Sequence, residues 1–274
     1  MAASNLTLRL VTAGIALPGV LVLLFLGPPW GWFLFMLFVA VVSAHELIAM
    51  THGGDWPARI VGILMTWAVV SALFWREELG DRALVSVLLA TPMLAILLTL
   101  ARLGEMRTAA LRLCGAAFGP LYLGAGIGAV ALLRRQPGLE GSSFVLFSLA
   151  MAWLSDTGAY FAGRLLGKRK LYEAVSPKKT IEGAVGGVAA AVGGAALGHF
   201  TLLPDVPLWQ LLVVGGIASA LGQMGDLGES LLKRSVGVKD SGGFFPGHGG
   251  MLDRIDAVLL TAPTTLLYVL WFRP

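Results

Sequence analysis

The chain has 274 residues, 57% of them hydrophobic and only 13% charged, where soluble domains carry about 25% charged residues, and this excludes a water-soluble globule. Its formal charge of +4 comes from 20 basic residues scattered without aromatic interleaving; nucleic acid is excluded as a partner, and anionic lipid or a phosphate-bearing substrate fits better. The single cysteine, Cys114, lies in an apolar run, so an intrachain disulfide is impossible.

Apolar runs recur from the first residues to the last, which predicts one membrane domain over 1–274, with N-terminal helices in 1–140 and a catalytic half in 141–274. A spanning helix needs about 20 mainly apolar residues. Nine stretches qualify in chain order: 8–26, 30–50, 60–75, 83–101, 109–133, 144–165, 182–201, 208–224 and 257–272. The fold expected is therefore an all-α polytopic membrane protein. The first stretch follows Arg9 in the manner of a signal peptide, but Gly27, Pro28, Pro29 and Trp30 offer no small-residue cleavage pattern, so it is read as a helix. With nine helices the two polar loops, 163–181 and 225–256, share a side that holds 15 of the 20 basic residues. The positive-inside rule places that side, and the amino terminus, in the cytoplasm. Arg134 and Arg135 run against this assignment. Gly183, Gly186, Gly187, Gly193 and Gly194 are read as packing residues that let helices approach closely.

Ionisable residues at membrane depth are costly and usually face a cavity or a partner. His45 and Glu46 end the second helix and are read as an interfacial cap or local hydrogen bond. In SDTGAYFAGRLLGKR, Ser155, Asp156 and Thr157 form a polar seam inside the sixth apolar stretch, suited to a functional site or to an interhelical hydrogen-bond cluster. SPKKTIEG, from Ser176 to Gly183, sets two lysines before a helix start, whose N–H groups and positive dipole end would cradle phosphate. As a juxtamembrane basic loop it would also suit lipid headgroups.

The run GQMGDLGESLLKR places Asp226, Glu229 and Ser230 on one helical face near a helix end, with Lys233 a turn further. Glu229 and Lys233 have the spacing of an ordinary helix ion pair. KDSGGFFPGHGG holds too many glycines for regular helix and is read as a loop whose backbone approaches a ligand. LDRID then starts a helix bearing Asp253 and Asp256 on one face, beside Arg254. Carboxylates from two helices suit a hard cation, and Mg²⁺ typically takes one or two carboxylates plus substrate phosphates. The histidines are scattered and Cys114 is remote from them, so no zinc site is expected.

SLLKRSVGVKDSGGFFPGHGGMLDRID, from Ser230 to Asp256, closely resembles the signature of the phosphatidate cytidylyltransferases, or CDP-diacylglycerol synthases. SDTGAY at Ser155 and SPKKTIEG at Ser176 resemble two further motifs of that family in the expected order, so the resemblance covers roughly the last 120 residues. Ile181 stands where relatives often carry Trp. The resemblance implies transfer of CMP from CTP to phosphatidate, giving CDP-diacylglycerol and pyrophosphate. It implies a homodimer in the inner membrane, with Mg²⁺ and a second cation such as K⁺ held at Asp226 and Asp253. On this reading Asp226, Asp253, Asp256 and Lys239 are the catalytic candidates. Ser155, Asp156, Ser176, Lys178, Lys179, Thr180, Ser230, Lys233, Arg234, His248 and Arg254 are candidates to bind substrate, and Gly249 and Gly250 would bring backbone donors close. A polar site at the cytoplasmic ends of the C-terminal helices would meet CTP from solution while the acyl chains stay in the bilayer. Two rival readings are a secondary transporter, disfavoured by the lack of an internal repeat, and a CTP-dependent lipid kinase of the polyprenol type.

Overall fold

A computed structural model describes residues 18–138, 140–244 and 249–273. Residues 18–26 form α1, of which the remainder of the first expected span lies outside the described residues. Then follow α2 (Pro29–His52), α3 (Trp56–Phe74), α4 (Arg76–Leu79), α5 (Asp81–Ala101), α6 (Met106–Leu133) and α7 (Glu140–Leu166). A hairpin of β1 (Lys170–Tyr172) and β2 (Ser176–Thr180) leads to α8 (Ile181–Thr201), α9 (Leu208–Ser235), α10 (Leu252–Ile255) and α11 (Val258–Phe272). Among the described residues, seven helices are long and apolar enough to cross a membrane, and α11 is a shorter apolar helix. The seven coincide with the second to eighth stretches expected from sequence, and the protein is an all-α polytopic membrane protein.

Cα packing divides the chain into two compact units, Met1–Gly124 with Asp240–Asp253, and Ala125–Lys239 with Arg254–Pro274. In the first, α2 packs on α3 and α3 on α5. The helices meet where glycine removes a side chain: a Cβ on Gly62 would lie 2.6 Å from Ile48, and one on Gly119 2.6 Å from Leu47. With lipid on the outside there is no hydrophobic gain from pairing apolar helices, so close backbone approach supplies the attraction. Phe33 and Phe74 stack at 4.3 Å. Asp55 ties the polar end of this unit together: it caps α3 through Ala58 N at 3.3 Å and receives Arg102 at 2.7 Å and Arg112 at 3.0 Å.

In the second unit α7, α8, α9 and α11 pack together. The contact of α7 with α8 is built from small residues, with Gly158 against Ala190 and Gly186, and Gly183 against Ala159 and Gly163. Of the five glycines read as packing residues, Gly193 differs, since a Cβ there would meet nothing within 4 Å. A buried polar node pins three helices: Ser219 Oγ donates to Ser155 Oγ at 2.7 Å, and Gln223 Nε2 donates to Ser155 Oγ at 3.2 Å and to the Ala184 carbonyl at 3.1 Å. Ser155 thereby serves the interhelical cluster that was one of its two sequence readings.

Candidate active site

Two local structures differ from the sequence expectation and shape the site. The SPKKT run is the strand β2, paired antiparallel with β1, with Lys170 opposite Thr180 and Tyr172 opposite Ser176. Thr180 then caps α8 by accepting from Gly183 N at 3.1 Å. The second difference is that α9 runs past the expected bound at residue 224 to Ser235, and Asp226, Glu229, Ser230 and Lys233 stand on it as their spacing predicts. Its glycines explain how a helix so polar at one end still packs, for a Cβ on Gly225 would lie 2.7 Å from the Asp256 carbonyl.

Within the second unit, α7, the hairpin, α8 and α9 line an open cavity of about 600 Å³, in the usual size range of ligand pockets, about 300–1,000 Å³. Asp156, Arg164, Lys178, Lys179, Thr180, Gln223 and Asp226 provide its polar lining, with Tyr160 and Leu171 among its apolar walls. Lys179 Nζ lies 2.5 Å from Asp226 Oδ2, a cation–carboxylate pair on the cavity lining. An ammonium carries three donors, so this lysine is equipped to meet an anion entering the cavity. Arg164 is steadied by a bond to Tyr160 Oη at 2.9 Å. Ser230 Oγ donates to Asp226 Oδ1 over a long 3.4 Å.

Asp256 lies in the turn between α10 and α11, past the end of α10, and accepts from Ala257 N at 2.7 Å. It therefore does not continue a helical face with Asp253. Burial first, and then the negative charge of Asp226, push its carboxyl up to about 6; the hydrogen bond from Ala257 N opposes this, and the charge of Asp156 adds to it. Three acids thus share one electrostatic neighbourhood, with Glu229 bound 3.2 Å from Lys233 in its buried part. Among the described residues no three such groups converge to hold an ion unaided. An all-oxygen set of mutually repelling carboxylates nevertheless fits Mg²⁺, which completes its shell with water and substrate phosphate.

In the first unit, Asp253 sits in the first turn of α10, where its Oδ2 accepts from Ser241 N at 3.0 Å, Ser241 Oγ at 3.0 Å and Gly250 N at 2.8 Å. Gly249, at φ +80°, makes the turn that brings Gly250 round. Glu46 is the residue the sequence reading missed. Only 5% exposed, it accepts from Met251 N at 3.0 Å, Leu252 N at 2.9 Å and Ser241 Oγ at 3.1 Å. These partners lie about 200 residues along the chain, so neither an interfacial cap nor a local bond describes it. An acid inside an otherwise apolar helix was the available signal.

The remaining candidates are dispersed. Ser176 and the exposed Lys178 are on β2; Lys233 is buried beside Glu229. Arg234 is exposed and donates to the Val238 carbonyl at 2.9 Å. Lys239 and Arg254 are exposed. His248 lies outside the described residues.

Comparison with known proteins gives this arrangement a family. The chain is 45% identical over 138 residues to the phosphatidate cytidylyltransferase of Staphylococcus saprophyticus, a match covering 50% of this chain and 52% of that protein. It is 44% identical over 123 residues to the enzyme of that name from Bacillus subtilis, covering 45% and 46%, and 46% identical over 125 residues to that of Staphylococcus aureus, covering 45% and 48%. The matched chain thus spans about half the length of each of these relatives. The family match is wider, running from residue 7 to residue 272 and so taking in the cavity, the acids and the glycine-rich loop alike, and by it the chain belongs to the Cytidylyltransferase family.

Proposed function

We propose that this protein is a phosphatidate cytidylyltransferase of the inner membrane, its site open to the cytoplasm, using CTP and phosphatidate as substrates. The observation that carries the proposal is the Lys179–Asp226 pair on the wall of an open cavity, with Lys178, Arg164 and the capped start of α8 around it. A cation, a carboxylate and a helix amino terminus in one pocket are the parts needed to hold polyphosphate. The names of the relatives supply the reaction class.

Phosphoryl-type transfer depends mainly on positioning and charge neutralisation rather than on covalent catalysis. A phosphate oxygen of phosphatidate forms a bond to the α-phosphorus of CTP, the α–β phosphoanhydride bond breaks, and pyrophosphate leaves with its electron pair. The nucleophile is already an oxyanion, so no side chain need remove a proton. Lys178, Lys179 and Arg164 orient and neutralise the phosphates entering the cavity. Asp226 is the proposed Mg²⁺ ligand in the second unit and Asp253 the proposed ligand in the first, with a second cation such as K⁺ as a further component. Bound Mg²⁺ would supply charge neutralisation on phosphate oxygens. A homodimer is part of the same reading.

Purified protein with α-labelled CTP, phosphatidate and Mg²⁺ should place label in the lipid phase. Label left in CDP with a phosphorylated alcohol would instead establish a lipid kinase, and solute flux in proteoliposomes without CTP turnover would establish a transporter. Asp253→Asn should nearly abolish turnover at unchanged yield of folded protein; wild-type activity would remove Asp253 from the metal shell.

A further inference from the structure

Resting on that reading, we infer that Glu46 of α2 is a positioning residue: it holds Ser241, Met251 and Leu252 from a distant helix and thereby aims Asp253. Each Glu46 oxygen has its own backbone donor, Met251 N to Oε1 and Leu252 N to Oε2. Those two N–H groups open α10, where a helix has donors with no internal partner. The carboxylate therefore caps from outside a helix of only four residues, too short to be stable by itself. The packing admits nothing larger than glycine at two points of the loop, for a Cβ on Gly242 or on Gly250 would come within 2.5 Å of a Glu46 oxygen.

Ser241 carries the effect to Asp253. Its Oγ lies 3.1 Å from Glu46 Oε2 and 3.0 Å from Asp253 Oδ2, yet a hydroxyl has one proton to donate. The hydroxyl therefore lies between the two carboxylates and is shared by them, so a displacement of Glu46 changes what Asp253 receives. Asp253 Oδ2 then collects three donors, which fixes the rotation of its carboxyl group. Partners that orient a ligand in this way typically change metal affinity or activity about 10–100-fold when removed.

Glu46→Gln separates this role from mere packing, since the amide keeps the size but has one acceptor where two are needed and turns a donor toward a donor. Amide hydrogen exchange in detergent should quicken at least about ten-fold at Met251 and Leu252. In the transfer assay the Mg²⁺ concentration for half-maximal rate should rise about ten-fold or more, with KM for phosphatidate unchanged. Ser241→Ala tests the same connection from the loop side and should shift Mg²⁺ dependence in the same direction should Glu46→Gln fail to fold. Asp55→Asn, which loosens the same unit elsewhere, should leave that dependence alone. Wild-type exchange at the two amides would overturn the anchor. Faster exchange with unaltered Mg²⁺ dependence would overturn its link to Asp253. A wild-type protein that does not turn over CTP would defeat the functional reading, and exchange would then decide on the anchor by itself.

Discussion

Gly187 offers a direct test of the claim that close helix approach builds the cavity. A Cβ there would lie 2.7 Å from the Ser155 carbonyl and 2.9 Å from Gln223 Nε2, where ordinary contact begins at 3.4 Å. Gly187→Ala must therefore part α7 from α8 by about 0.7 Å or expel Gln223 from the polar node. Either response disturbs a wall of the cavity, because Asp156 follows Ser155 on α7 and Gln223 itself lines it. Overpacking of this kind costs about 1–3 kcal/mol, but alanine also gains about 1 kcal/mol over glycine in helix propensity. Gly193→Ala removes that ambiguity: it lies on the same helix, exposed, with nothing within 4 Å of its Cβ, and so carries the propensity gain alone. Heat-induced unfolding in detergent should show Gly193→Ala at or above wild type and Gly187→Ala below Gly193→Ala by the full packing cost. A displacement near 1 Å at a reacting group can cost about 100-fold in rate, so the proposed cytidylyl transfer should fall for Gly187→Ala only. Equal stability of the two variants would refute the packing argument.

The Asp256 carboxyl, raised to about 6, is held more tightly protonated in the folded state than in the unfolded chain. Such a group weakens the fold above its folded pKa and is without effect below its unfolded value of 3.8. In metal-free buffer Asp256→Asn should thus be more stable than wild type at pH 7.5, by on the order of 1–3 kcal/mol, with the difference fading between pH 6 and pH 4; thermal midpoints across that range check it. Asp55 has the opposite sign. Burial would raise its pKa, but the bond and charge from Arg102, the Ala58 amide and the charge of Arg112 outweigh burial and hold it low. The clamp's stabilisation is therefore present above the ordinary carboxylate range and lost as pH falls through the depressed value. Asp55→Asn should lose on the order of 1 kcal/mol at neutral pH, since Arg102 is 44% exposed, and nothing relative to wild type in strong acid.

Which features the sequence disclosed follows from the range of the interactions involved. Seven spans were legible because hydropathy over a window of residues is a local property, and 181–201 emerged within a residue of its expected start. Asp226 and Lys179 were both nominated, but the 2.5 Å between them joins residues 47 positions apart, on a strand and a helix that no periodicity aligns. The strand itself was hidden because Pro177 and two lysines in a five-residue segment carry no alternating apolar signal; pairing with β1 and the cap on Thr180 decide it. Asp226 looked like a helix end because hydropathy falls there, whereas the helix continues on Gly225 and Gly222, whose missing side chains admit Asp256, Ala257 and Thr261. Glu46 marks the limit most sharply. Its own neighbours, His45 and Leu47, describe an ordinary helix end; its role rests chiefly on the amides of Met251 and Leu252, which any residue would possess, with Ser241 Oγ beside them. A side chain recruited by backbone groups leaves no mark on the sequence of its partners except the glycines it forbids to grow, and Gly242 and Gly250 had been attributed to ligand approach. Substituting those glycines in turn distinguishes the two causes: Gly242→Ala should mimic Glu46→Gln in amide exchange even with no nucleotide present, which a ligand-facing glycine would not do.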